Sequence, residues 1–234
     1  MFVDAGNKSV VFVTHSTASR LFYYFLSQQT PEWKAKYVAR WISSAGAFGG
    51  DVVTLGTLSA GVEDGQQSAL SHNNVRRLFR SFSDCTFGSP DPLVFQDAVI
   101  FEFKGQGYTA SQLADIFRII GHEDGVKHLN RTSALITSLA DPGVRVTCLR
   151  SVGTQTAEKF VYKDEKSLLD DATIVRGDGD GNLNSVSAAV CEDWSQSPGF
   201  ESVVYDGIKH VDMIRDARVV KQILKTVSAV NAQQ

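Results

Sequence analysis

Thr14-His15-Ser16-Thr17-Ala18 is the stretch that most constrains this chain. It follows the apolar run Val10-Val11-Phe12-Val13 and precedes Arg20-Leu21-Phe22-Tyr23-Tyr24-Phe25-Leu26. The run predicts a buried strand, the pentapeptide a sharp turn with a serine at its tip, and the remainder a helix. That is the layout of a nucleophile elbow, in which a strained turn lifts a serine hydroxyl clear of a sheet. The N-terminus of the following helix favours negative charge developing above it. Thr14 and Ala18 stand where the usual G-x-S-x-G has glycine, and both are small. A serine in a strand-to-helix turn is more commonly a helix N-cap. The pentapeptide by itself leaves both readings open.

The chain has 234 residues, enough for one domain with a sizeable core. Apolar residues make up 43% and charged residues 21%, with a net charge of −3, so nothing favours a polyanionic partner and no nucleic acid is expected. No apolar run is long enough to predict a membrane-spanning helix. Met1-Phe2-Val3-Asp4-Ala5 lacks the basic and apolar regions of a signal peptide. Asn7-Lys8-Ser9 and Asn130-Arg131-Thr132 are glycosylation sequons, a weak pointer to a lumenal compartment and a glycoprotein.

Buried strands are predicted at Val10 to Thr14, Trp41 to Ala45, Val144 to Arg150 and Glu201 to Tyr205. Helices are predicted over Thr17 to Gln29, over Ser111 to Ile120 with Ser111 as N-cap, and along the tail from Met213 to Val227. Strands alternating with helices give an α/β class with a mostly parallel sheet. From Gly50 to Pro92 the chain turns polar and Gly/Ser-rich, which predicts an inserted excursion over 51–92 within a single domain spanning 1–234. No G-x-G-x-x-G follows a strand and no P-loop is present, which removes the usual nucleotide-binding signatures.

Gly177-Asp178-Gly179-Asp180-Gly181-Asn182 is the second signal. As a calcium loop it has the opening spacing, but Leu183 occupies the glycine position and Ala189 the place of the bidentate glutamate. A plain turn and a tight loop presenting one carboxylate to a histidine remain. His210 follows the last predicted strand and precedes the C-terminal helix. Ser16, Asp180 and His210 therefore occur in the Ser…Asp…His order of α/β-hydrolases, each at a strand's C-terminal end. His15 flanks the serine and reads as structural; His72, His122 and His128 lack such placement.

Taken with Ser44-Ala45-Gly46-Ala47-Phe48-Gly49-Gly50, Ile120-Gly121-His122-Glu123-Asp124-Gly125, Pro142-Gly143-Val144, Gly177 to Asn184 and His210-Val211-Asp212-Met213, the chain resembles the C-terminal portion of the lecithin:cholesterol acyltransferase family. This family includes lysosomal phospholipase/transacylases and phospholipid:diacylglycerol acyltransferases. The resemblance implies an α/β-hydrolase fold with Ser16 as nucleophile, Asp180 as triad acid, His210 as base and the Thr17 backbone N–H as an oxyanion donor. It implies a Cys148–Cys191 disulfide, with Cys85 left unpaired, and hence an oxidising compartment, secreted or lumenal. It implies acyl transfer from a phospholipid to water or a lipid alcohol at a membrane or lipoprotein surface, with no metal and no organic cofactor.

The resemblance also implies strands ahead of Val10, a second oxyanion donor and a membrane-binding region that this chain would lack. This chain is accordingly expected to be part of a longer protein, and its rival reading is a non-catalytic fragment or pseudoenzyme of the same family that binds lipid or a partner chain. Thr17, Ala18 and Ser19 depart from the family's apolar residue and two glycines, and Asn182 stands where threonine is common. Thr54 to Ser71 corresponds to the family's mobile lid. Arg76, Arg77 and Arg80, interleaved with Leu78, Phe79 and Phe82, read either as contacts for anionic headgroups or as the solvated face of a short helix.

Overall fold

The computed structural model describes residues 2–61, 69–169 and 172–233. β1 (Val10–Ser16) leads into α1 (Thr17–Ser27) and α2 (Pro31–Tyr37), and β2 (Val38–Gly46) follows. A helical stretch comes next: α3 (Val53–Ala60), α4 (His72–Arg80), α5 (Ser83–Phe87) and α6 (Pro92–Phe95). The hairpin β3 (Val99–Phe103) and β4 (Gln106–Thr109) precedes α7 (Leu113–Ile119) and α8 (Glu123–Thr132). The chain then forms β5 (Val146–Val152), β6 (Thr154–Tyr162), β7 (Thr173–Gly179), α9 (Ser185–Ala188), β8 (Glu201–Asp206) and α10 (Ala217–Asn231).

The main sheet has the order β1-β2-β5-β8 and is parallel throughout. Its register pairs Val13 with Ile42, Ser43 with Cys148 and Leu149 with Val203. Parallel strands covered on both faces read as continuous apolar runs, and β2 is buried along nearly its whole length. On one face Trp41, Tyr23, Leu26 and Trp194 pack together. On the other, Ile42, Leu149, Met213 and Val219 pack under α10. All four strands end at one rim, where Ser16 lies.

A second sheet, β4-β3-β6-β7, goes beyond the sequence expectation. β3 and β4 turn at Lys104 and Gly105, both at positive φ (53° and 78°), which matches the twist of a two-residue hairpin. β6 continues from β5 across the single residue Gly153, so one path joins both sheets. β7 returns antiparallel to β6 and ends next to Asp180. The core of this half sets Leu55 and Leu58 of α3 and Phe117 of α7 against Phe101, Phe160 and Tyr162. A Cβ on Gly56 would lie 2.4 Å from the Phe160 ring, so only glycine lets α3 seat there.

Several boundaries differ from expectation. The cap before α7 is Thr109, in a capping box with Gln112, because a short 3₁₀ turn at Ala110–Gln112 precedes the α-helix; Ser111 bonds to Thr109 instead. The tail splits into a 3₁₀ turn at His210–Ile214 and α10, capped by Asp216. Among the described residues 47–98 hold helices and turns and no strand. Of the segment matched to a lid, 54–60 belongs to the buried helix α3, and 62–68 lie outside the described residues. Arg80 donates to the carbonyls of Leu58 (2.7 Å) and Ile120 (2.7 Å), turning it toward the protein.

Two fixtures hold the surroundings of the elbow and of Asp180. Arg20 of α1 bonds to Asp91 (Nη2 to Oδ2, 2.6 Å) and to the carbonyl of Phe48, with both charged side chains about 7% exposed. The sulfurs of Cys148 and Cys191 are bonded, tying β5 to the segment after Asp180. Ser16 itself sits at φ 56°, ψ −134°, a conformation costly for any residue with a Cβ.

Asp91→Ala should destabilise the fold by about 3–5 kcal/mol in urea unfolding, because it leaves Arg20 buried and unpaired. A loss below about 1 kcal/mol would show that the pair is not buried in solution. Replacing both Cys148 and Cys191 by alanine should cost about 4 kcal/mol in the chain-entropy account of a 43-residue closure. Ser16→Gly should be more stable than Ser16→Ala by about 1 kcal/mol, since only glycine tolerates this backbone without strain. Equal unfolding midpoints for the two would remove the strain argument.

Candidate active site

β1 and α1 place Ser16 at the rim of the main sheet. Thr14, at the first glycine position of the usual elbow, is accommodated by a polar network under α1. Its hydroxyl accepts from the Trp41 indole N–H (2.8 Å) and bonds to Ser19 (2.9 Å), and Ser19 bonds to Ser43 (2.9 Å). Ser16 makes no side-chain cap to α1, so its hydroxyl is free for another partner. The carbonyl of Ser16 accepts from the Ala47 N–H (3.2 Å), which fixes the turn to the loop after β2.

That other partner is His210. Its Nε2 lies 2.8 Å from Ser16 Oγ, and its Nδ1 lies 2.8 Å from Asp180 Oδ2. Among the described residues no arginine or lysine bonds to Asp180; its Oδ1 accepts from the backbone N–H groups of Asn182 (3.1 Å) and Leu183 (2.7 Å). Its own carbonyl accepts from the His210 N–H (2.8 Å), so backbone and side chain together join the two loops. Asp180 and His210 are 2% and 8% exposed. Nδ1–H donating to the carboxylate leaves Nε2 unprotonated and able to accept the Ser16 proton.

The structure thus brings the three sequence-predicted residues into one hydrogen-bonded chain. Thr17 begins α1 and lines the same cavity, and its backbone N–H is one of the helix's unpaired donors. Asp178 is held away from His210, accepting from Gly153 N (2.7 Å) and Ser185 Oγ (2.5 Å); the Ser185 bond chiefly holds its carboxyl below the usual range. The two carboxylates of the Asp178–Asn182 segment turn to different partners, Asp178 to Gly153 and Ser185 and Asp180 to His210.

His15 does more than flank the serine. Its Nε2–H donates to the His210 carbonyl (3.0 Å), and the two rings lie 4.7 Å apart. Burial, and then the His210 ring, lower its pKa, so it remains a neutral donor that braces the histidine loop. The hydroxyl of Ser16 opens on a cavity of about 380 Å³ lined also by Asp51, Val53, Thr54, Phe79, Asp84 and Cys85. Burial, with Asp84 and Asp51 beside it, pushes the Cys85 thiol up to about 12 and keeps it protonated. Asp51 and Asp84 carried no local motif, so their place beside Ser16 is visible only in three dimensions. No helix among the described residues is long and apolar enough to cross a membrane.

A family model described as lecithin:cholesterol acyltransferase matches residues 1–105 and 108–226. The chain is similar to lecithin-cholesterol acyltransferase-like 1 of Oryza sativa subsp. japonica, with 32% identity over 98% of this chain and 54% of that protein. It is similar to the lysosomal phospholipase A and acyltransferase of Homo sapiens, with 27% identity over 93% of this chain and 53% of that protein. Its identity to the phosphatidylcholine-sterol acyltransferase of Gallus gallus is 28%, over 90% of this chain and 52% of that protein. The chain spans about half the length of the curated relatives it matches. An α/β fold with a mostly parallel sheet, a serine elbow at its rim and this match along nearly the whole sequence place the chain in the lecithin:cholesterol acyltransferase family.

Proposed function

We propose that this chain carries the serine centre of a lipid acyltransferase/phospholipase that works through an acyl-enzyme. The observation that carries the reading is the bonded series Ser16–His210–Asp180, with both links at 2.8 Å and the serine on a strained elbow. His210 Nε2 takes the Ser16 proton as Oγ attacks the ester carbonyl carbon. The negative charge moves to the carbonyl oxygen, toward the Thr17 N–H and the positive end of α1. As the tetrahedral species collapses, the bond to the leaving alcohol breaks and His210 returns the proton to its oxygen. Water or a lipid alcohol then repeats the sequence on the acyl-enzyme. Asp180 holds the imidazole in the required tautomer and stabilises its charged form.

The substrates follow from the family and the named activities of its members: a phospholipid acyl donor, and water or a lipid alcohol as acceptor, met at a membrane or lipoprotein surface. Such chemistry calls for no metal or organic cofactor. The Cys148–Cys191 bond supports a secreted or lumenal setting, and Asn7 and Asn130 are exposed where glycans would attach. β1 pairs on one side only among the described residues, with β2. Its open edge is where the further strands and the second oxyanion donor of a longer protein would join.

A fluorophosphonate probe should label the folded chain, and Ser16→Ala should abolish labelling. A folded chain that reacts equally with and without Ser16 would sink the proposal. Asp180→Asn should lower ester turnover by about 10⁴-fold while leaving the unfolding midpoint nearly unchanged, because it puts the imidazole in the wrong tautomer. Loss of turnover matched by loss of fold would instead make Asp180 a structural residue.

A further inference from the structure

We propose that Asp51 is a specificity residue that makes the cavity select against acyl donors carrying negative charge beside the scissile ester. The inference rests on the ester-cleaving reading of Ser16 above. Asp51 follows the Gly49-Gly50 turn and shares the cavity wall with Ser16, Thr17 and His210. Its Oδ1 is fixed by the N–H (2.7 Å) and hydroxyl (2.8 Å) of Thr54. Among the described residues Oδ2 has no hydrogen-bonding partner, so it is left to whatever enters the cavity. Asp84 adds a second carboxyl to the lining, and among the described residues no lysine or arginine contributes to it. An incoming phosphate would therefore face carboxyl groups with no cation to offset them, in a cleft where water screens poorly. A zwitterionic headgroup brings its own ammonium to offset that repulsion, and a neutral donor does not meet it.

Asp51 also holds its proton to higher pH than an exposed aspartate, because burial raises its pKa. The titratable groups facing it are His15, His210 and Asp180 on the Ser16 side, and Asp84 and Cys85 on α5. Of these, His210 favours its ionised form and Asp180 opposes it. Selection against anionic donors accordingly strengthens as pH rises and Asp51 ionises.

The rival role is helix capping, since Thr54 N–H is one of the first donors of α3. Asparagine and serine cap as well as aspartate, so Asp51→Asn and Asp51→Ser keep that role and remove the charge. The experiment uses the full chain and vesicles of non-hydrolysable diether phosphatidylcholine. These carry trace acyl-labelled phosphatidylcholine or phosphatidylglycerol, so that the surface is the same for both donors. The ratio of kcat/KM for the zwitterionic over the anionic donor should rise roughly tenfold from the acid side, where Asp51 is protonated, to the alkaline side, where it is ionised, the scale of two unit charges ~10 Å apart in a partly desolvated cleft. In both variants the ratio should stay flat, with unfolding midpoints near that of the unaltered chain. A flat ratio in the unaltered chain, or the same rise in Asp51→Asn, overturns the role of Asp51. If that happens while p-nitrophenyl butyrate is still turned over in a Ser16-dependent way, the ester-cleaving reading stands and only the role of Asp51 falls. If no ester is turned over, both fall.

Discussion

Arg20 is a cation almost without water, and the geometry around Ser16 depends on how its charge is met. The guanidinium reaches from the second turn of α1 to Asp91 and to the Phe48 carbonyl, and stacks over the Phe87 ring 4.9 Å away. Three segments distant in sequence are thereby fixed to the helix that starts at the serine. Those are the loop after β2, the end of α5 and the cap of α6. Taking such a pair out of water is costly, and it is tolerable only because Asp91 also accepts from Leu93 N–H and the guanidinium has more than one acceptor. The arrangement positions the wall of the cavity relative to Ser16 more narrowly than apolar packing would, since apolar surfaces can slide.

The two sheets divide the work of building the site. The parallel sheet presents Ser16 from β1 and His210 from the turn after β8. The second sheet presents Asp180 from the end of β7. Gly153 is the only residue between β5 and β6, so the second sheet begins where the first ends. Asp178 reinforces that junction by accepting from Gly153 N–H, while Asn184 of the acid loop donates to Ala157 and accepts from Val52 N–H. The carboxylate and the imidazole are thus placed by separate layers that share one covalent corner.

The main sheet was legible from its apolar runs, but only the central strands β2 and β5 are buried as expected. β1 and β8 are the edges, half-buried or exposed, with Val13 51% exposed, because each has a neighbouring strand on one side only among the described residues. Ser16, Asp180 and His210 were legible from their order and flanking motifs. The second sheet was not. Gln106-Gly107-Tyr108-Thr109 is short and half-exposed, and Thr154–Tyr162 carries Glu158 and Lys159 on its open face. The available hints were the Lys104-Gly105 turn and the β-branched and aromatic residues on either side of it. The polarity of 50–92 concealed α3, whose Leu55 and Leu58 are fully buried. Asp51 could not be read at all, because its position beside Ser16 is created by the fold of the Gly49-Gly50 turn rather than by any local pattern.

The Cys148–Cys191 bond closes a covalent ring that contains β6, β7 and Asp180 but neither Ser16 nor His210. A backbone cut anywhere inside that ring would leave the two pieces joined. Both would remain paired to the same sheet, and their severance would show only after reduction. The segment that supplies the carboxylate is in this sense insured against cleavage, whereas a cut between Ser16 and Cys148, or between Cys191 and His210, leaves the pieces held by packing alone.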